Sequence, residues 1–201
     1  MRILAGAACL GIGLIVWLGG AFYKRTSGDT ITVLELGNLK NPNHRLGPVS
    51  LDPGMDTVSA RMFLAYTQYT GTGMTLHYTF SVQGPTGTVL GPRTSSVPIG
   101  KQRDANYYKR YSERVKDALK DVAKGVLYND VYLGDFTAPK KGAYTISVNQ
   151  LRAEGAVLHD VVLELKKGVV HLPRAIYWVS GAMALLGFFL LAPLMAEMAG
   201  S

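Results

Sequence analysis

The chain has 201 residues, 48% of them hydrophobic and 17% charged, with a formal net charge of +7 and a mean hydropathy of +0.13. Soluble domains carry about 25% charged residues, so this composition excludes a disordered chain, a collagen-like chain, a coiled-coil rod and a plain cytosolic enzyme. The single cysteine, Cys9, lies in an apolar run at the start of the chain, which leaves the remainder without a disulfide or a cysteine metal site and gives no indication of redox compartment.

Ile3 to Phe22 is an uncharged run of 20 residues, long enough to cross a bilayer as a helix. It predicts a transmembrane signal-anchor over residues 3–22. A cleaved signal peptide is the alternative, with Arg2 as its positive end and Gly19-Gly20-Ala21 near the cut. Lipidation at Cys9 is weaker still, because the position three residues before it is Gly6 where Leu is usual. Gly6, Gly13 and Gly20 lie seven apart and offer a face that another helix can approach closely.

Lys24 to Arg174 is 151 residues, enough for one domain with a sizeable core. It holds 20 of the 21 Lys and Arg and 13 of the 14 Asp and Glu. Its basic surplus suits anionic lipid headgroups better than nucleic acid, for it has no continuous basic run with interleaved aromatics. Apolar and polar residues alternate in Ala60 to Tyr66, Met74 to Gln83, Tyr144 to Val148 and Val161 to Leu165, the period of half-buried strands. Shorter candidates are Thr30 to Leu36, Thr86 to Leu90 and Val126 to Leu133. Turn signals at Asn41-Pro42, Gly47-Pro48, Asp52-Pro53-Gly54, Gly71-Thr72-Gly73, Gly84-Pro85, Gly91-Pro92 and Pro139 to Gly142 are expected to fall between strands. Two sheets pressed face to face would bury every apolar row. Asp104 to Lys124 breaks the pattern: Tyr107, Tyr111, Val115, Leu119 and Val122 form a helical stripe, with Asp104 as N-cap and Gly125 as stop. This amphipathic helix is expected to pack on the sandwich, the alternative being that it lies on anionic lipid.

Ala175 to Ala196 is a second uncharged run, of 22 residues, and predicts a C-terminal transmembrane helix over 175–196 with Tyr177 and Trp178 at its entrance. Ser180, Gly181, Ala184 and Gly187 give it small-residue packing positions. Lys24, Arg25, Lys166, Lys167 and Arg174 flank both runs and are candidate lipid-surface contacts. A loop this long translocates largely regardless of charge. The strand-rich domain and the absence of any Asn-x-Ser/Thr site point to a bacterial inner membrane with the domain in the periplasm.

No local pattern points to catalysis. His44, His77, His159 and His171 have no metal-clamp spacing, and no nucleophile elbow, phosphate loop or dinucleotide fingerprint occurs. The expected fold is thus an all-β sandwich with one inserted amphipathic helix, 24–174, between two transmembrane helices. The expected role is a non-catalytic accessory, assembly or scaffold subunit of a membrane complex, without cofactor, whose partners are other integral membrane subunits and anionic lipid headgroups. A tethered recognition module for a saccharide, peptide or lipid, using Tyr66, Tyr69 and Tyr107, is the alternative. A copper-handling domain using Met55, Met62, Met74 and histidine is third.

Overall fold

The computed structural model describes residues 7–16, 28–55, 57–69, 73–99, 111–119, 126–169 and 174–199, with side chains in the last segment described for 178–192. Residues 29–168 form one compact unit, and the helical residues 7–16 and 174–199 belong to another.

The first unit contains eight described strands: β1 (Asp29–Glu35), β2 (His44–Leu51), β3 (Thr57–Gln68), β4 (Met74–Gly84), β5 (Gly87–Ile99), β6 (Leu127–Thr137), β7 (Gly142–Glu154) and β8 (Ala156–Lys167). They make two four-stranded sheets, ordered β1-β8-β3-β6 and β2-β7-β4-β5. The antiparallel pairs β1·β8, β2·β7, β3·β6 and β4·β5 are nested one inside the next. The chain therefore folds as one long hairpin rolled into a sandwich, the jelly-roll arrangement. Alternation does the work in β4, where Met74, Leu76, Tyr78, Phe80 and Val82 are buried between the sheets while Thr75, His77, Thr79 and Ser81 are turned away from them. From the other sheet, Ala60, Met62, Leu64, Tyr66, Val161, Leu163 and Leu165 meet them, all fully buried. Tyr144 closes the turn before its own strand by donating its hydroxyl to Lys140 O at 2.6 Å.

Proline and glycine do not keep to the turns. Gly47-Pro48 lies inside β2, and Gly91-Pro92 and Pro98 lie inside β5. The sheet order explains this, because β2 and β5 are the two edges of their sheet, where a residue without an N–H leaves no ladder bond broken. Gly47 is required where it stands: at φ +111° a Cβ would lie 2.8 Å from Tyr144 O.

The sheet β1-β8-β3-β6 has apolar side chains on its outer face as well, and the inserted helix covers them. That helix, α2, spans Glu113–Ala118, with Ser112 as its N-cap accepting from Val115 N; the expected cap Asp104 and the residues Tyr107 and Val122 lie outside the described residues. Tyr111, Val115 and Leu119 are buried against Phe63, Ala65 and Val162. The Phe63 and Tyr111 rings meet edge to face at 4.6 Å. Ser112 Oγ and Thr30 Oγ1 donate to Glu164 Oε1 at 2.8 and 2.7 Å, and Lys166 Nζ stands 3.9 Å from Glu164 Oε2, so a carboxylate only 1% exposed is satisfied beneath the helix. The apolar stripe rests on protein, which is the packing arrangement rather than the lipid one.

The other unit contains helix α1, residues 7–16, and helix α3, Arg174–Ala199. Among the described residues no helix is long and apolar enough to cross a membrane. This overturns the expected pair of transmembrane helices around the sandwich and, with it, the integral inner-membrane placement. An apolar run marks only a candidate span. Part of the apolar and small-residue content instead packs helix on helix, since Gly13, Ser180 and Gly187 are buried.

Candidate functional site

The β2-β7-β4-β5 sheet turns a polar surface outward, and an irregularity in its centre shapes that surface. In the β4·β7 ladder His77 faces Arg152 while Thr79 faces Asn149. Between those pairs β4 advances by one residue, Tyr78, and β7 by two, Gln150 and Leu151. This is a β-bulge, a device that re-aims side chains. Gln150 occupies it at φ 55°, the one non-glycine residue with positive φ among the described residues. That left-handed conformation costs an L-residue about 1–2 kcal/mol.

The segment leading into β2 clamps the bulge. Leu151 N donates to Pro42 O at 2.9 Å, and Gln150 N donates to Asn43 Oδ1 at 3.2 Å. Asn43 is itself held by a local turn in which its N–H donates to Asn41 Oδ1 at 3.0 Å. Gln150 is thereby carried over β4, where its Oε1 accepts from Thr79 Oγ1 at 3.1 Å. Thr79 is bonded across to Thr94 of β5 at 2.9 Å between the hydroxyls.

One step along the strands, His77 Nδ1 and Ser96 Oγ are 2.8 Å apart. His77 Nε2 lies 3.3 Å from Glu154 Oε1, yet it is buried and lacks an aligned hydrogen-bond partner. The same Glu154 oxygen is 3.4 Å from Arg152 Nη2. Pro42, Asn43, His77, Tyr78, Thr94, Ser96, Gln150 and Arg152 line a groove of about 490 Å³, within the usual range of small-molecule sites, about 300–1,000 Å³. Beneath the groove, burial pushes the Tyr78 phenol above its ordinary range and a hydrogen bond from Ser95 opposes that in part, so the phenol stays neutral. The groove presents hydroxyls, amides, one guanidinium and one imidazole, the donors and acceptors suited to binding a polar molecule. Ser96 Oγ, His77 and Glu154 stand in a row in it, hydroxyl to imidazole to carboxylate.

Of the residues singled out from the sequence, Gly13 comes together with Ser180 and Ala184. A Cβ on Gly13 would stand 2.7 Å from Ser180 O and 2.9 Å from Ala184 N. Gly187 is buried, whereas Gly181 faces nothing within 4 Å. Gly6, Gly20, Lys24 and Arg25 lie outside the described residues, as does the side chain of Arg174. Lys167 is exposed, while Lys166 is drawn toward Glu164. Tyr66 is fully buried and cannot touch a ligand, Tyr69 is 56% exposed, and Tyr107 lies outside the described residues. Met62 and Met74 are core residues and Met55 packs against the core. Among the described residues no three metal-ligating side chains cluster.

His77 was recognisable as a polar-face residue, but Asn43, Thr94, Ser96, Gln150 and Arg152 were not. One signal was available in β7. Tyr144, Ile146 and Val148 occupy even positions, and the next apolar residue of comparable size is Leu151, an odd one. Such a change of parity is the mark of a bulge.

No family model matches the chain, and no curated protein matches it. Among solved structures the chain is similar to one described as the structure of infectious bursal disease virus Gx strain, at 11% identity and a TM-score of 0.25, over 75% of this chain and 33% of that one. A second, of the Gt strain of the same virus, gives 10% identity and a TM-score of 0.19 over 69% and 37%. The chain thus spans about a third of the length of those chains. Likenesses at these scores carry no argument about function.

Proposed function

We propose that the protein is a non-catalytic recognition module which binds a hydroxyl-rich ligand of saccharide type on the open face of the β2-β7-β4-β5 sheet. The supporting observation is Gln150, a non-glycine residue held at positive φ by the Asn43 clamp so that its amide stands over Thr79. Backbone strain held in place by surrounding bonds concentrates at ligand sites. Groups fixed before binding lose little entropy on binding, which favours hydrogen-bond recognition. The test is a panel of oligosaccharides titrated calorimetrically against the whole chain and against Gln150→Ala and Thr79→Val. The expected result is binding by the native chain and at least tenfold weaker binding by both variants. Equal binding by all three would refute the site.

A second reading has its own support, the close approach of α1 and α3 at Gly13 together with large apolar side chains exposed on both helices, among them Ile15, Trp178 and Phe189. In it the chain is an accessory or assembly subunit whose helix pair contacts other subunits. Recovery of a larger complex after gentle extraction favours it. A chain recovered alone refutes it.

A further inference from the structure

We infer that the ligand of the groove carries a carboxylate, so that the class is an acidic saccharide, and that Glu154 occupies the place of that carboxylate when the groove is empty. The inference rests on the recognition reading above and narrows it. Glu154 sets one oxygen, Oε1, between His77 Nε2 at 3.3 Å and Arg152 Nη2 at 3.4 Å. Charge-assisted N–H···O bonds are shorter, about 2.7–2.9 Å, so this carboxylate sits loosely between its two partners. The pairing of the three groups differs in firmness. The imidazole is fixed by Ser96 and its side chain is 21% exposed, while Arg152 and Glu154 are 67% and 59% exposed. A guanidinium meets carboxylates best through two parallel bonds, and Glu154 contacts it through one nitrogen and one oxygen. A ligand carboxylate entering from the groove could engage the Arg152 fork and the unaligned His77 Nε2 together, displacing an exposed side chain that has little to lose. Asn43, Thr94, Ser96 and Gln150 then face the ring hydroxyls, which makes the acceptor-rich, single-acid chemistry of a uronate the fitting one.

The experiment uses tetragalacturonate and its methyl ester, which has the same hydroxyls without the charge, titrated against the full chain. The acid is expected to bind at least tenfold more tightly than the ester, with the difference shrinking as salt is raised. Glu154→Gln removes the competing carboxylate and is expected to tighten the acid several-fold while leaving the ester unchanged. Arg152→Met, with folding checked by circular dichroism, is expected to abolish the preference while keeping ester binding. Equal affinity for acid and ester overturns the inference and leaves the recognition reading standing. So does an acid affinity that Glu154→Gln weakens. Silence toward both probes also overturns the inference, and silence toward the neutral panel as well overturns the reading beneath it.

Discussion

Deleting Gln150 should heal the sheet and disable the groove, and the ladder shows why. From the Thr79↔Asn149 pair to the His77↔Arg152 pair, β4 steps two residues and β7 steps three. With Gln150 gone both strands step two. Leu151, buried now at 6% exposure, would then follow Val148 with the regular alternation and stay in the core. Arg152 would still face His77. Relief of the left-handed residue contributes about 1–2 kcal/mol, and a resumed ladder bond about 1 kcal/mol. Against these stand the exposed Asn43 and Thr79 bonds to Gln150 and the Leu151 bond to Pro42, together about 2–3 kcal/mol at the net worth of such bonds. The two sides nearly cancel, so the deletion should change stability by less than about 1 kcal/mol while saccharide binding falls at least tenfold. Urea unfolding of the two proteins reads the first quantity and calorimetric titration the second. A loss above about 2 kcal/mol would show that the bulge stabilises the sheet, and the argument that Gln150 serves a ligand would fail.

Other outcomes follow from the same structure. Val115 has no exposed surface and sits among Phe63, Ala65 and Val162, so Val115→Asp should cost about 3 kcal/mol or more by burying an unpaired charge; a near-neutral urea midpoint would mean that the stripe is not buried in solution. Gly13→Leu should drive α1 and α3 apart, since even a Cβ meets Ser180 O at 2.7 Å, whereas Gly181→Leu should not. Spin labels at Ile12 and Leu185 would report the separation, and equal distances in both variants would refute the contact. Burial raises the phenols of Tyr78, Tyr128 and Tyr132 above their ordinary 10.0, helped by Asp160 at Tyr128 and by Asp135 at Tyr132. Unfolded phenols ionise first as pH rises, so the stability these three contribute is present below pH 10 and is lost above it. A urea midpoint flat from pH 9 to 11, with ordinary phenol titration, would contradict this.

The strands with clean alternation could be read directly. Met74 to Gln83 became β4, and Ala60 to Tyr66 lies within β3, because one face of each meets the opposite sheet. What could not be read was anything fixed by which strand lies beside which. β2 was hidden because Gly47-Pro48 looks like a turn until its strand is known to be an edge, and β5 was cut short at Gly91-Pro92 for the same reason. The helical stripe was legible around Val115, but the position of its cap was not, since Ser112 is selected by Glu164, a residue 52 positions away. The two apolar runs misled for a related cause. Hydropathy counts residues along the chain, and it cannot distinguish a side chain that faces lipid from a glycine that faces another helix, as Gly13 does.

The groove itself belongs to the class of features that only the nested pairing creates. Its side chains come from the segment entering β2 and from β4, β5 and β7, all members of one sheet. The two edges of that sheet carry the prolines, which discourages further strands from adding there, and the inserted helix covers the other sheet. The open face of this sheet carries polar groups that are both exposed and held in place. On that face the parity of β7 makes a specific demand. Tyr144, Ile146 and Val148 all point inward, so a regular pleat would send the amide at 150 into the core, where an unpaired polar group costs about 1–3 kcal/mol. The bulge avoids that cost by turning Gln150 outward and Leu151 inward, at the expense of a strained φ. A deletion or a glycine would have solved the packing problem alone. A glutamine at positive φ, fastened from both sides by Asn43 and Thr79, solves it while keeping an amide at the centre of the groove, and the proposed ligand site rests on that combination.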